Sequence, residues 1–259
     1  MAIRKCVVAV PARLQSSRLP NKVLADIGGQ PMIQRVLERC RQARGVEAVV
    51  LCTDSSELQA RAEDWGFPVL MTAESCSSGS ERIASVAHSL MALAWGDGDP
   101  IAEETAVINV QGDQPFIDPT VIDSMVEEFR RQEPVPAVVT PVYGLKPESV
   151  HNPNVVKTLL AHDGRALYFS RSAIPHVRDV DEADWHQHNT YWGHVGMYGF
   201  RGDVLADWDQ LPASPLEDLE RLEQLRLIEA GLTIATFPVE GTSLSVDTAE
   251  QLEQARSMV

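Results

Sequence analysis

Basic residues are scarce in this chain. Its 22 Lys and Arg face 37 Asp and Glu, giving a formal net charge of −15 and an isoelectric point near 4.8. A field of that sign repels polyanions, which excludes a protein that holds nucleic acid or an anionic membrane through its overall charge. Cysteine is sparse too. Cys6, Cys40, Cys52 and Cys76 form no C-x-x-C pair, and 259 residues, 44% of them hydrophobic, do not need disulfides to make a core. Reduced, mostly buried thiols are expected. No apolar run approaches the length of a membrane-spanning helix, and the short first apolar stretch, followed at once by Arg13, is not read as a signal peptide. The expected setting is therefore the cytoplasm. A Walker A loop, a G-x-S-x-G elbow and an H-E-x-x-H pair are all missing, which sets aside the chemistries those motifs carry.

What is there is an alternation of short apolar runs and helical stripes. Cys6–Val10 reads as a strand buried on both faces, and Pro31–Ala43 as a helix with Met32, Ile33, Val36, Leu37 and Cys40 on one side. Strands follow at Ala48–Cys52, Pro68–Met71, Ala106–Val110 and Ala137–Tyr143, and helices at Ser56–Trp65 (stopped by Gly66), Glu81–Ala94 and Pro119–Arg131. That order predicts an α/β fold whose mostly parallel sheet has helices on both faces. Between about residues 154 and 201 the pattern changes to strands at Val155–Leu160, Leu167–Phe169 and Val195–Phe200 among polar loops. This reads as a small antiparallel extension. A helix at Pro215–Ala230, a strand at Thr233–Pro238 and a helix at Ala249–Ser257 complete the chain, and a single domain over residues 1–259 is expected.

The few cations are concentrated. "VPARLQSSRLPNK" puts Arg13, Arg18 and Lys22 in one loop directly after the first strand. Arginine offers a planar fork for phosphate oxygens, lysine a point charge, and loop N–H groups add donors, so the stretch is a candidate triphosphate loop. A solvated basic loop is the plain alternative. In parallel sheets ligands collect outside the carboxyl ends of the strands, where this chain also places Thr53-Asp54, Gln111, Asp113 and Asp247. Asp113, in "VINVQGDQPFIDP", is a candidate Mg²⁺ ligand, with a turn role as the alternative. Asp247, before the helix of "SVDTAEQLEQAR", is a second candidate carboxylate, with helix capping by Thr248 or Asp247 itself as the alternative. "CSSGSERIA" is a small-residue loop entering a helix, in which Gly79 would let the backbone approach a ligand. His186, His188 and His194 lack metal-ligand spacing and are not read as a metal site. Cations and carboxylates on one sheet edge imply a phosphorylated ligand with a divalent metal.

The stretches "PARLQSSRLPNKVL", "GGQPMIQRVLERC", "CTD", "SGSERIA", "NVQGDQPFI", "NPNVVK", "ALYFSRSAIP", "HVGMYGFR", "SPLEDLERLEQLR" and "VDTAEQLEQAR" occur in that order along essentially the whole chain. Together they resemble the 3-deoxy-manno-octulosonate cytidylyltransferase (CMP-Kdo synthetase) family. The resemblance implies a Rossmann-like nucleotide-diphospho-sugar transferase sheet, CTP and a 3-deoxy-ulosonic acid as substrates, Mg²⁺, and a homodimer. It implies that Arg13, Ser17, Arg18 and Lys22 hold the triphosphate, and that Ser78 and Arg82 recognise the cytosine nucleotide. Asp113 and Asp247 are the implied metal ligands and, with Lys22, the implied catalytic set. Gln111, Arg171, His194, Tyr198, Glu223 and Gln224 are implied for the sugar, with the 154–201 excursion adding to the dimer and the sugar site. The expected reaction moves CMP from CTP to the anomeric hydroxyl of 3-deoxy-D-manno-octulosonate (Kdo), for lipopolysaccharide or capsule synthesis. An 8-amino-Kdo or another ulosonic acid is the alternative acceptor. A sugar-1-phosphate nucleotidyltransferase would want a G-x-G-x-R-like start, which the chain lacks. A catalytically silent nucleotide-binding regulator is a further alternative, against which Lys22, Asp113 and Asp247 all weigh.

Overall fold

A computed structural model describes residues 2–16, 19–241 and 244–259. Ser17 and Arg18, both expected at the triphosphate, lie outside the described residues. In chain order the strands are β1 (Lys5–Ala12), β2 (Asp26–Ile27), β3 (Gln30–Pro31), β4 (Ala48–Thr53), β5 (Val69–Met71), β6 (Thr105–Asn109), β7 (Val138–Gly144), β8 (Lys157–Leu160), β9 (Ala166–Ser170), β10 (Trp192–His194), β11 (Tyr198–Arg201) and β12 (Ile234–Pro238). The α-helices are α1 (Met32–Cys40), α2 (Ser56–Asp64), α3 (Gly79–Ala84), α4 (Ala87–Trp95), α5 (Pro119–Arg131), α6 (Trp185–His188), α7 (Gly202–Ala206), α8 (Pro215–Glu220), α9 (Gln224–Glu229) and α10 (Ala249–Arg256). The expected class holds: a mostly parallel sheet flanked by helices, with an antiparallel part.

One compact unit comprises Met1–Val135, Met197–Asp209 and Ser243–Val259. Its strands run in the order β5-β4-β1-β6-β11, parallel as far as β6, with β11 antiparallel to it. β1 is buried at every residue after Lys5, as a central parallel strand must be when helices cover both of its faces. The two faces separate at β11. Gly199 sits against Phe129 of α5, while Phe200, one residue on, meets Trp208 edge to face on the other side. The stripe predicted for α1 is wholly buried. The single helix expected over Glu81–Ala94 is instead α3 and α4. The Ser85 hydroxyl donates to the Arg82 carbonyl at 2.7 Å, which competes with the helical ladder there.

The other compact unit comprises Pro136–Gly196 and Gln210–Thr242. β12 runs parallel to β7, and the pairs β7–β10, β10–β8 and β8–β9 are antiparallel. A bridge between Arg165 and Ala235 brings the start of β9 back to β12, so this sheet curls toward closure. The strand expected over Val195–Phe200 is β11, which begins only at Tyr198, and β10 (Trp192–His194) lies ahead of that range, where the sequence reading has a polar loop. The helix expected over Pro215–Ala230 also breaks, at Arg221 in the left-handed region (φ 55°). The break frees the Glu220 carboxylate to accept from Ser170 Oγ at 2.6 Å and Arg171 N at 2.9 Å, and it turns Leu222 and Leu225 inward. Fully buried Lys157 of "NPNVVK" gives its ammonium to the carbonyls of Asn152, Val155 and Arg171, which pins that loop. Burial pushes the Lys157 ammonium below its usual range, against the nearby Glu220 charge.

Candidate active site

The carboxyl ends of β1 and β6 open onto a cleft of about 370 Å³, lined among others by Arg13, Lys22, Ser78, Arg82, Gln111, Asp113 and Asp247. Three segments far apart in sequence meet at its floor. Asn21, in the left-handed region at φ 54°, turns the chain into the one-turn 3₁₀ segment Lys22–Leu24. Lys22 Nζ donates to Asp113 Oδ2 and to Asp247 Oδ1, each at 2.8 Å. Burial alone would push this ammonium down. The Asp113 charge and hydrogen bond, followed by those of Asp247, outweigh it, and the net direction is up.

The two carboxylates are fixed from behind. Val246 N donates to Asp113 O at 2.9 Å, joining the two segments by main chain. Val246 is itself buried with Ile27, Met32, Leu252 and Ala255, so α10 anchors in the core under the cleft. The capping alternative for Asp247 is resolved in favour of its neighbour. Thr248 caps α10 in a reciprocal capping box with Gln251, whose Oε1 also accepts from Asp247 N at 2.8 Å. The Asp247 carboxylate therefore faces Lys22. Gly112 has no room for a side chain: a Cβ there would stand 3.0 Å from Ile33 Cδ1 and 3.1 Å from Pro11 O, so the turn carrying Asp113 presses onto the end of β1.

Across the cleft, Ser78 caps α3, its Oγ accepting from Glu81 N at 3.1 Å. Gly79 makes a close approach within the protein. A Cβ would lie 3.0 Å from Gln111 Oε1 and 3.1 Å from Pro11 Cγ, so α3 closes directly on the ends of β1 and β6. Gln111 Nε2 donates in turn to Asn109 Oδ1 at 3.2 Å. Arg82 is held by Asp54 Oδ2 at 2.7 Å and by the Thr72 hydroxyl. Sequence reasoning noted Thr53-Asp54 at a strand end and gave Asp54 no task. Its partner is 28 positions away, a pairing that only the sheet order creates. Gln251, which ties Asp247 in place, likewise has no signal in the sequence beyond its position in the helix expected over Ala249–Ser257.

The residues expected at the sugar divide between the two units. Gln111 and Tyr198 belong to the first, Tyr198 buried opposite Asn109 on β11 and stacked on Phe200. Arg171, His194, Glu223 and Gln224 belong to the second. There Arg171 donates to the carbonyls of Glu220 at 2.8 Å and Pro153 at 3.1 Å. His194 Nε2 lies 2.9 Å from Thr140 Oγ1, its ring is edge-on to Phe169, and burial pushes its pKa down to about 3. Glu223 precedes α9 at its N-cap, and Gln224 is buried at the start of that helix. All four cysteines are free and buried, and Cys40 and Cys52 are pushed up to about 12 by burial.

A family model described as cytidylyltransferase matches residues 7–234 of the chain. The 3-deoxy-manno-octulosonate cytidylyltransferase of Chloroherpeton thalassium is 39% identical over 257 residues, 98% of this chain and 98% of that protein. The protein of the same name from Escherichia coli is 38% identical over 255 residues, 98% of this chain and 96% of its own. Among solved structures, CMP:2-keto-3-deoxy-manno-octonic acid synthetase complexed with CTP is similar at a TM-score of 0.88 and 38% identity, with 98% of both chains covered. A cytidylyltransferase from Leptospira borgpetersenii, at 18% identity and a TM-score of 0.62 over 98% of this chain and 85% of that one, shares the fold.

Proposed function

The chain belongs to the cytidylyltransferase family, and from that premise we propose that it transfers CMP from CTP to the anomeric hydroxyl of Kdo, releasing pyrophosphate. The observation that carries this reading is the convergence of Asp113 and Asp247 on Lys22, in a cleft that also holds Arg13 and Arg82. Relatives at 38–39% identity over 98% of the chain bear the name of this activity, and a similar solved structure is of a complex with CTP.

The donor set suits Mg²⁺. Two carboxylates aimed at one cationic point are hard oxygen ligands. Among the described residues no three His, Cys, Asp or Glu side chains gather, so Asp113 and Asp247 would hold such an ion with the remaining donors coming from outside the chain, as Mg²⁺ sites at nucleotides commonly do. When bound there, it supplies charge neutralisation at the phosphates and lowers the pKa of a coordinated hydroxyl.

In the proposed reaction the acceptor oxygen forms a bond to the α-phosphorus while the bond from that phosphorus to the bridging oxygen breaks. Pyrophosphate leaves with the electron pair, and the hydroxyl proton passes to solvent. The chain's own part is positioning and charge. Arg13 and Lys22, with Ser17 and Arg18 of the same loop, draw the triphosphate into the cleft. Ser78 and Arg82 take the nucleoside, Arg82 being pre-set by Asp54 and Thr72. Gln111 meets the acceptor beside Asp113, and Tyr198, Arg171, His194, Glu223 and Gln224 complete the acceptor-side assignment. Each is checked by whether its substitution raises the KM for Kdo. We place the reaction in the cytoplasm, in a homodimer, in the supply of activated Kdo for lipopolysaccharide or capsule. Among the described residues no helix is long and apolar enough to cross a membrane.

Pyrophosphate release from CTP and Mg²⁺ tests the reading, with Kdo, its 8-amino analogue and a sialic acid compared side by side. Release confined to Kdo supports it; release confined to the amino analogue keeps the mechanism and changes the acceptor; silence with all three defeats it. Asp113→Asn should lower turnover by about 100-fold or more in a protein that stays folded, as circular dichroism reads it.

A further inference from the structure

Lys22 stands where the two carboxylates would share a divalent cation. Its ammonium lies one hydrogen bond from Asp113 Oδ2 and one from Asp247 Oδ1, at 2.8 Å in both cases, and only 13% of its side chain is exposed. A divalent cation and an ammonium drawn to the same two carboxylates compete for their negative charge and repel each other at contact distance. Each therefore weakens the hold of the other.

The anchoring decides which partner moves. Asp113 and Asp247 are joined through Val246 N and Asp113 O, and Asp247 N is held by Gln251, over a buried apolar cluster. Their side chains are short, so the carboxylates stay where the main chain puts them. Lys22 reaches them from a single 3₁₀ turn through a four-carbon stem. It can swing without any main-chain change. The same cleft is lined by Arg13, Gln15 and Ser16 on the Lys22 side, so a polyanion drawn into it would offer the ammonium a second partner.

We infer that Lys22 is an exchangeable counter-cation: it competes with the divalent ion for Asp113 and Asp247, and the triphosphate of the incoming nucleotide draws it off so that metal and nucleotide enter together. The inference rests on the proposed function, and it adds that the protein alone is a poor metal binder by construction. Lys22 is then more than a phosphate contact. It controls when the two carboxylates are open to the metal.

The test is a titration with Mn²⁺, in the absence of nucleotide, read by the loss of the free-ion electron paramagnetic resonance signal. Wild type, Lys22→Met, Lys22→Gln and the double variant Lys22→Met/Asp113→Asn are compared, and Gln keeps a donor of similar length should Met disturb the fold. Both single variants should gain a site of one Mn²⁺ per chain at least tenfold tighter than any in wild type, and the double variant should lose it. That last arm separates the cleft from adventitious binding to an acidic surface. Equal affinity in wild type and the single variants overturns the inference, as does a gain that survives Asp113→Asn, or no binding in any variant. Pyrophosphate release by the wild type is measured on the same preparation. Turnover with CTP and Kdo alongside unchanged Mn²⁺ binding removes the exchange and leaves the function. A Mn²⁺ gain without turnover leaves the exchange and removes the proposed acceptor.

Discussion

Arg82 has 3% of its side chain exposed and takes Asp54 at 2.7 Å and the Thr72 hydroxyl as partners. A guanidinium that deep is stable only when paired, and removing one member strands the other in a poor solvent. Asp54→Asn should therefore cost about 3 kcal/mol of stability and, on the proposed role of Arg82 at the nucleoside, raise the KM for CTP more than it lowers kcat. Calorimetric melting and steady-state kinetics check the two halves separately. His194 makes a different prediction. The unfolded chain's imidazole takes up a proton near pH 6.5, whereas burial in the folded protein delays this to about pH 3. Its contribution is thus complete above the unfolded value and is lost as the pH falls between the two, by at most about 1.4 kcal/mol per pH unit. Chemical denaturation at a series of pH values should show a flatter acid limb for His194→Gln than for wild type.

Helix and strand boundaries follow the local sequence where a side chain caps or a glycine turns. Asp118 caps α5 with Pro119 in its first turn, and Gly66, at φ 78°, ends α2 as its position implied. The helices expected over Glu81–Ala94 and Pro215–Ala230 fail for reasons that lie outside their own periodicity. Ser85 diverts a carbonyl in the first, and Glu220 is needed by Ser170 and Arg171, from another strand, in the second. The late start of the strand expected over Val195–Phe200 is of the same kind, because β11 takes its register from β6, with Tyr198 opposite Asn109. β11 also sets a packing limit. Gly199 lies under Phe129, where a Cβ would come within 2.5 Å of ring atom Cε2. Gly199→Ala should destabilise by about 1–3 kcal/mol through displacement of that ring, seen as a lower urea midpoint with an unchanged m-value.

The molecule as a whole carries −15 and still gathers Arg13, Lys22 and Arg82 into one cleft, so charge is arranged locally against the global field. Its mass in solution should be about twice the 28.5 kDa of the chain if the proposed dimer forms, and light scattering across a dilution series will show it. Composition and periodicity were sufficient for the α/β class, the buried central strands and the placement of Arg13 and Asp113 just past β1 and β6, because apolar runs and helical stripes report burial directly, whereas Asp247, expected at a strand end, follows residues 244–246 that form no strand. They could not show that Lys22 lies between Asp113 and Asp247, that Asp54 holds Arg82, or that Gln251 secures Asp247. Those pairings join residues up to 225 positions apart, and a local pattern holds no record of which strand ends become neighbours. Strand order and main-chain anchoring decide that, and they do so by packing: α10 buries Val246 and Leu252 with Ile27 and Met32, and the position of Asp247 beside Lys22 follows.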